Sequence, residues 1–288
     1  MKRITIDAHM HMAFFEGAQQ TQLQLAFSRE TLGLYKTHEI KMETLWNQMD
    51  YAGIDKAFLL PLDLSATCGG CAGTNEQVMR LVQCFPNRFI GFCSVDPNSA
   101  DAPQRLEQAF ADGFAGLKLH PSKQRFYPSD SIMNPIYEIC LKYDKPILFH
   151  SGMSLEPHTL SEYARPIQFE RTAEGYPDLR ICLAHFGWPW VDEVCMLLLK
   201  YPNVYTDTAL LYFDDARQFY AHLFGCQMGE NWLDRSLRYQ VMFGSNEPRL
   251  ELIRMKRALE HLDLRDSTKE LLFGRNALRF LGKENDTW

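Results

Sequence analysis

Apolar and polar residues alternate along this chain in blocks that predict strands and helices in turn. Several strand-like blocks are apolar throughout, which is typical of parallel strands covered on both faces. The eight predicted strands are Ile4–His9, Lys56–Pro61, Phe89–Val95, Gly116–His120, Pro146–His150, Arg180–Ala184, Val204–Thr206 and Val241–Phe243. Strands that alternate with helices in this number predict an α/β fold, the closed (β/α)8 TIM barrel.

The segments between these strands carry the spacing and capping signals of α-helices. Apolar residues recur with a helical period in Glu39–Ala52, and Thr74 with Gln77 resembles a capping box. The other predicted helices are Pro103–Asp112, Pro135–Tyr143, Val191–Tyr201, Ala216–Met228, Leu250–Leu262 and Ser267–Leu281. An open doubly wound sheet is the alternative architecture, but no glycine-rich fingerprint follows the first strand.

Two connections are longer than a barrel of this kind requires. Phe14–His38 follows the first predicted strand, and Ser151–Asp178 follows the fifth. Both leave the carboxyl end of a strand, so we expect them on the catalytic face, where long loops usually carry function. The sequence contains no internal repeat and no interdomain linker, and one domain over residues 1–288 is expected.

Composition and charge exclude several classes of protein. The chain has 288 residues, of which 46% are hydrophobic and 23% charged, and its net charge is −6. It has no strongly basic stretch and no apolar segment of membrane-spanning length, so neither nucleic acid nor a membrane is an expected partner. No segment resembles a secretory signal, so we expect a cytoplasmic protein. Its expected partner is a small molecule, and a homodimer is the assembly to be tested.

Histidines stand at the ends of the predicted strands. His9 and His11 alternate on the first strand and therefore face the same side. Three further histidines, His120, His150 and His185, close later apolar runs. Neutral imidazoles that converge on one point suit a divalent metal such as zinc, and barrel enzymes of this fold place their active sites at the carboxyl ends of the strands. The pattern therefore favours a metal centre.

Five segments around these residues resemble those of the amidohydrolase superfamily. They are Ile6–His11, Gly116–Pro121, Leu148–Gly152, Leu183–Gly187 and Phe243–Pro248. The resemblance runs from residue 4 to about residue 281 and is closest to the amidohydrolase-related group. That group contains metal-dependent hydrolases and also non-oxidative decarboxylases of aromatic and aminocarboxymuconate-semialdehyde-type acids.

The resemblance implies one divalent metal ion, most often zinc. Its ligands would be His9, His11 and His150, and His185 would stand beside it as an acid–base or substrate-polarising group. A metal lowers the pKa of its bound water, and the resulting hydroxide would attack an ester, lactone or amide carbonyl. Metal-dependent hydrolysis is therefore our first expectation. Decarboxylation of a small aromatic or unsaturated acid at the same site is the alternative.

One position departs from the family pattern. The residue after the eighth strand is an aspartate in the family and Asn246 here. An amide offers a neutral oxygen and cannot act as a base at neutral pH. Asn246 could be an engineered substitution, or a natural residue with Glu247 supplying the carboxylate, or the mark of a catalytically weakened binding protein. Glu247 could equally be an acidic residue at the start of the following helix, where a negative charge interacts favourably with the helix dipole.

Residues near the same strand ends are candidates for binding substrate. Lys118 and His120 share one face of the fourth strand, and Lys118 could bridge two metals, contact substrate, or pair with a carboxylate such as Asp207. A carboxylated substrate would need a cation, and Arg249, Lys123 and Arg125 are candidates. The simpler interpretation of each is a solvated charge on the protein surface. The aromatic residues that could form an apolar wall are Phe14, Phe15, Trp188 and Trp190.

Overall fold

Eight parallel strands form a barrel in the computed structural model, which describes residues 4–156, 158–209, 215–229 and 231–284. The strands in chain order are β1 (Ile6–Met10), β2 (Lys56–Leu59), β3 (Leu62–Leu64), β4 (Gly70–Ala72), β5 (Phe89–Cys93), β6 (Gly116–Leu119), β7 (Ile147–Phe149), β8 (Ile181–Leu183), β9 (Val204–Asp207) and β10 (Val241–Met242). The barrel order is β1-β2-β5-β6-β7-β8-β9-β10, and β3 pairs antiparallel with β4 outside it. The predicted TIM barrel is confirmed.

Helices cover the outside of the barrel. They are α1 (Gln22–Leu32), α2 (Met42–Ala52), α3 (Ser65–Cys68), α4 (Asn75–Cys84), α5 (Ala102–Ala111), α6 (Pro121–Gln124), α7 (Asn134–Lys142), α8 (Glu170–Gly175), α9 (Val191–Lys200), α10 (Ala216–Ala221), α11 (Leu252–Glu260), α12 (Asp266–Glu270) and α13 (Asn276–Phe280). Two π-helical segments, His222–Gln227 and Leu271–Arg275, extend the predicted helices that start at Ala216 and Ser267. Within the described residues, no helix is both long enough and apolar enough to traverse a bilayer.

Backbone hydrogen bonds between the two ends of the sheet close the barrel. The amide of Ala8 donates to the carbonyl of Phe243 at 2.8 Å, and the amide of Asn246 donates to the carbonyl of His9 at 2.9 Å. One step further, the amide of His11 donates to the carbonyl of Glu247 at 2.7 Å. This closure places the histidines of the first strand directly beside the segment that follows β10.

Apolar side chains fill both faces of the strands. One cluster lies inside the barrel and includes Ile6, Ala8, Phe58 and Phe92, all fully buried. The larger cluster lies between the strands and the surrounding helices. Burial on both faces explains why several strand segments are apolar throughout.

The two long connections contain more structure than we expected. Within Phe14–His38 lies helix α1, which begins with a capping box between Thr21 and Gln24 and ends at Gly33. Within Ser151–Asp178 lie two short 3-10 segments and helix α8. Residues 1–3 lie outside the described residues.

Candidate metal and substrate site

A cavity opens at the carboxyl ends of the barrel strands. It collects residues from β3 and β6, from the segments that follow β1, β6, β7, β8 and β10, and from the end of α1. The lining residues are His11, Leu32, Leu62, Lys118, His120, Lys123, His150, Met153, Leu155, Glu156, His185, Trp188, Asn246 and Arg249. Of the residues that we expected at a metal or substrate site, eight line this cavity: His11, Lys118, His120, Lys123, His150, His185, Trp188 and Arg249, together with Asn246. His9 is fully buried and is not among the lining residues.

His9 is held in one orientation by a buried carboxylate. Its Nδ1 lies 2.8 Å from Oδ2 of Asp207, and both side chains are fully buried. Since a carboxylate can only accept, the proton sits on Nδ1 and the lone pair is left on Nε2. That Nε2 is buried and finds no hydrogen-bond partner in the described part of the chain. A buried, unsatisfied imidazole nitrogen backed by a carboxylate is the arrangement of a metal ligand.

His185 is fixed by the same aspartate and by a neighbouring carbonyl. Its backbone amide donates to Oδ1 of Asp207 at 2.8 Å, and its Nδ1 donates to the carbonyl of Ala209 at 2.6 Å. The residue adopts a left-handed conformation with φ of 62°, which is uncommon for residues other than glycine. The second ring nitrogen, Nε2, is therefore free of the proton and available to the cavity.

Three side chains bring possible donor atoms close together. One atom each from His9, His185 and Asp207 lies within 4.8 Å of the others. The ring of His11 lies 5.1 Å from that of His9, and the ring of His150 lies 4.9 Å from that of His185. The residues therefore fit a divalent metal, although the closest trio differs from the ligand set that the resemblance implies.

Burial keeps these imidazoles neutral. It lowers the pKa of His9, His11, His120 and His150 well below the ordinary histidine value, and neighbouring cationic groups add to the effect. Burial likewise lowers the pKa of His185 to about 3, although Asp207 opposes the shift. Neutral imidazole is the form that binds metal, so these histidines are in the protonation state that a metal site requires.

His120 and His150 form a stacked pair at the cavity wall. Their ring centroids lie 3.8 Å apart with an interplanar angle of 8°. The Nδ1 of His120 accepts from the backbone amide of Lys123 at 3.4 Å, a helix-capping contact. His150 Nε2 lies 3.4 Å from Oγ of Ser154, on the loop that follows β7. The stack gives the cavity one flat, uncharged side.

Three cations and one carboxylate line the cavity. Lys118 is 1% exposed, and burial lowers its pKa to about 8 although Asp207 opposes the shift. Lys123 and Arg249 both contact Glu156, with Nζ–Oε2 and Nη2–Oε1 distances of 2.9 and 3.0 Å. Glu156 was not among the residues we predicted, because a contact this distant in sequence leaves no local signal.

The segment after β10 places Asn246 and Glu247 on different sides. Asn246, at φ of 68°, lines the cavity, and its Nδ2 lies 3.4 Å from the carbonyl of Ala209. Glu247 is buried outside the cavity lining, where its Oε2 accepts from the amide of Leu252 at 3.4 Å. Burial raises the pKa of Glu247 to about 8. This geometry favours the helix-terminus role over a replacement for the family aspartate.

Several residues that we considered for the substrate wall lie elsewhere. Phe14 and Phe15 are packed into the core and are absent from the cavity lining. Trp190 packs against Arg165, whose guanidinium carbon lies 5.7 Å from the centroid of the tryptophan ring. Arg125 is exposed at the end of α6. Trp188 does line the cavity.

A sequence model of the amidohydrolase family matches residues 6–283. The chain belongs to the amidohydrolase family. The match covers every barrel strand and every residue that lines the cavity. The amidohydrolase is therefore an enzyme of this superfamily, as the five sequence segments predicted.

One curated relative and two solved structures illustrate what this amidohydrolase is similar to. It is 22% identical over 243 residues to the 2-amino-3-carboxymuconate-6-semialdehyde decarboxylase of Dictyostelium discoideum, and the alignment covers 72% of this chain and 65% of that protein. It is 20% identical to an uncharacterized TIM-barrel protein from Bordetella bronchiseptica, with a TM-score of 0.76 over 98% of this chain and 99% of the other.

The second structure is a 5-carboxyvanillate decarboxylase mutant from Novosphingobium aromaticivorans with bound manganese and a nitrobenzoic acid. It is 19% identical, with a TM-score of 0.65 over 98% of this chain and 97% of the other. Other solved structures with similar folds include a 4-oxalomesaconate hydratase and a 2,6-dihydroxybenzoate decarboxylase. At these identities the structures establish the shared barrel and leave the reaction open.

Proposed function

We propose that this amidohydrolase removes carbon dioxide, without oxidation, from a small aromatic or unsaturated carboxylic acid. The observation that carries the proposal is the charge of the cavity. Lys118, Lys123 and Arg249 face it, and Glu156 is the one carboxylate among the lining residues. A cavity with this excess of positive charge attracts an acid more strongly than a neutral ester, lactone or amide.

A divalent metal would add to that attraction. We propose His9, His11 and His150 as its ligands, with Asp207 holding His9 in the required tautomer. When bound, the metal would hold an oxygen of the substrate and stabilise negative charge there. Zinc is our expectation from the sequence, and manganese, which a related decarboxylase binds, is the second candidate.

The reaction requires a proton at the carbon that loses the carboxylate. The carbon–carbon bond breaks, its electron pair stays on the substrate, carbon dioxide leaves, and the substrate carbon takes up a proton. We assign the proton transfer to Nε2 of His185, whose Nδ1 is anchored on Ala209. An anionic substrate nearby raises the pKa of that imidazole, so that it binds a proton when the acid enters and releases it to the carbon.

The remaining lining residues would position the acid. Lys118 is placed to contact the carboxylate, while His120 and Trp188 offer flat surfaces to an aromatic or conjugated body. Arg249 and Lys123, which both contact Glu156, line the cavity as well. These roles account for the mixture of cations and planar side chains in the lining.

Hydrolysis, our first expectation from the sequence, is less well supported. The amide of Asn246 cannot take a proton from water, and the carboxylate of Glu247 accepts from Leu252 outside the cavity. Decarboxylation does not require a base that activates water. The curated relative and the manganese-containing structure, both decarboxylases, also favour the decarboxylase interpretation.

The decisive experiment compares two substrate panels. The purified protein, loaded with zinc or with manganese, is incubated with hydroxylated benzoic acids and unsaturated monocarboxylic acids, and carbon dioxide and products are quantified. A second panel contains esters, lactones and amides. We expect carbon dioxide from the first panel and no turnover of the second. Turnover of the second panel alone would refute the proposal.

Two histidine variants provide a matched comparison. His185→Asn should abolish carbon dioxide release, because the proton-transfer nitrogen at the cavity is lost. His38→Ala changes an exposed histidine outside the cavity lining and should leave the rate unchanged. Equal rates for both variants would remove His185 from the mechanism.

A further inference from the structure

Glu156, the one carboxylate among the residues that line the cavity, has no role in the proposed reaction. Glu156 bridges Lys123 and Arg249, and the exposed fractions of the three side chains are 13%, 6% and 18%. The three residues come from separate connections, after β7, β6 and β10. The cluster is therefore a built feature of the cavity rather than a chance surface pair.

The two cations are also tied to the end of helix α1. Nζ of Lys123 donates to the carbonyl of Thr31, and Nη2 of Arg249 donates to the carbonyl of Leu32. Cations bind favourably at the carboxyl end of a helix because its last carbonyls lack partners within the helix. Helix α1 thus fixes both cations in position, independently of the carboxylate that they share.

The geometry of the cluster matches the way a protein binds a carboxylic acid. Each oxygen of Glu156 contacts a different cation, Oε2 with Lys123 and Oε1 with Arg249. A substrate carboxylate would find the same two donors if Glu156 did not fill the position. The same cations outweigh the effect of burial and hold the pKa of Glu156 below its usual value.

We propose that Glu156 occupies a second carboxylate subsite and thereby restricts the enzyme to acids whose distal end is neutral. The inference rests on the proposed function, since it assumes that an acid enters the cavity. The first carboxylate of the substrate lies toward Lys118, and the distal end of the molecule points to the Lys123–Arg249 pair. Glu156 is thus a specificity-determining residue.

The charge balance explains why Glu156 excludes a second acid. A distal carboxylate would have to enter beside a buried carboxylate of like charge, or displace it and leave it without its two partners. Both outcomes cost free energy. Neutralising Glu156 removes the repulsion and leaves two fixed cations facing the cavity, which a dicarboxylate then binds.

Binding of benzoate and of isophthalate tests the inference. Both are measured by calorimetry on metal-loaded wild type and on Glu156→Gln. We expect the preference for isophthalate over benzoate to rise about tenfold or more in the variant, because one buried ion pair is gained. Benzoate itself should bind with little change. An unchanged preference, or no binding of isophthalate to the variant, would overturn the inference.

Two further variants test whether the freed cations cause the gain. In Glu156→Gln combined with Arg249→Gln the gain should disappear, because one of the two freed cations is gone. Glu138→Gln makes the same charge change on the exposed face of α7 and should not alter the preference. A gain that persists in the double variant, or that Glu138→Gln reproduces, would refute the subsite.

Loss of a buried carboxylate could weaken the fold, and thermal unfolding addresses this. If Glu156→Gln is destabilised, isophthalate should raise its melting temperature more than benzoate does, since the ligand replaces the missing anion. Equal effects of the two ligands would contradict the inference. If the enzyme releases carbon dioxide but Glu156→Gln has the ligand preference of the wild type, this inference is refuted and the proposed function stands. A changed preference without release from any acid would defeat only the proposed function.

Discussion

Nδ1 of His9 and Oδ2 of Asp207 lie 2.8 Å apart in the interior of the barrel, with both side chains fully buried. The contact joins the first and the seventh strand of the barrel. Asp207 also accepts from the amides of His185 and Ala209, so its two oxygens face three N–H donors. Asp207 therefore connects the proposed metal ligand to the proposed proton-transfer residue.

Asp207→Asn should weaken metal binding by about 10- to 100-fold, as loss of such orienting partners generally does. An asparagine amide can present its NH₂ group to His9, which favours the wrong tautomer and turns the lone pair away from the metal. The measurement is a competitive titration with zinc or manganese and a chromophoric chelator.

Asp178→Asn is the matched control for that titration, since Asp178 is exposed and outside the cavity. It should bind metal as the wild type does. Unchanged metal affinity in Asp207→Asn would show that His9 does not depend on this carboxylate.

Asn246→Asp should raise the affinity for a divalent metal by at least about tenfold, because an anionic oxygen is a stronger ligand for a hard cation than an amide oxygen. Asn246 lines the cavity beside His11 and His185, so its side chain is placed to reach the ion. Metal content after dialysis, together with carbon dioxide release, provides the measurement.

Asn246→Ser is the companion variant, since it shortens the side chain without adding charge. It should not increase metal affinity. If Asn246→Asp leaves metal binding unchanged, the side chain does not reach the ion, and the departure from the family pattern has no consequence for the metal.

The barrel was predictable from the sequence because several strands are continuous apolar runs, as in Phe89–Cys93, and because helical periods recur between the strands. Helix α1 was missed although Leu25, Ser28 and Leu32, its buried positions, recur with helical spacing. The hairpin of β3 and β4 was missed because its strands have only three residues each.

The candidate site was predictable where the fold alone determines position. Residues at strand ends, such as His11 and His150, meet at one face in any barrel of this type. The partners of those residues depend on side-chain packing and carry no such signal. Asp207 was considered as a partner of Lys118, with which it does interact electrostatically, but its hydrogen bond with His9 was not predicted. Glu156 reaches Lys123 from a loop whose path the sequence does not determine.

Lys118→Met should weaken benzoate binding below pH 8 and remove its pH dependence there. Burial lowers the pKa of Lys118 to about 8, so the wild-type side chain is charged below that pH and neutral above it. Affinity for a carboxylate should therefore fall as the pH rises through about 8 in wild type. Methionine fills a similar volume without the charge.

The titration uses protein stripped of metal, so that only the side chains of the chain contribute charge. Lys36→Met, at an exposed position, should keep the wild-type profile. A wild-type affinity that does not change between pH 7 and pH 9 would show that the charge of Lys118 does not act on the ligand.

Glu247→Gln should stabilise the fold at alkaline pH and leave metal binding intact. Burial raises the pKa of Glu247 from 4.5 to about 8, so the folded chain retains a proton that the unfolded chain has already lost. The native state of the wild type therefore loses stability as the pH rises from 4.5 to about 8. Glutamine has no charge to bury and still accepts from the amide of Leu252.

The gain in unfolding free energy should be near zero at acidic pH and reach about 2 to 5 kcal/mol in the alkaline range. Urea unfolding at several pH values measures it, and Glu138→Gln, at an exposed position on α7, should show no such trend. Loss of metal in Glu247→Gln would instead make Glu247 the replacement for the family aspartate. Because its carboxylate lies at the start of α11, we expect the stability effect and unchanged metal content.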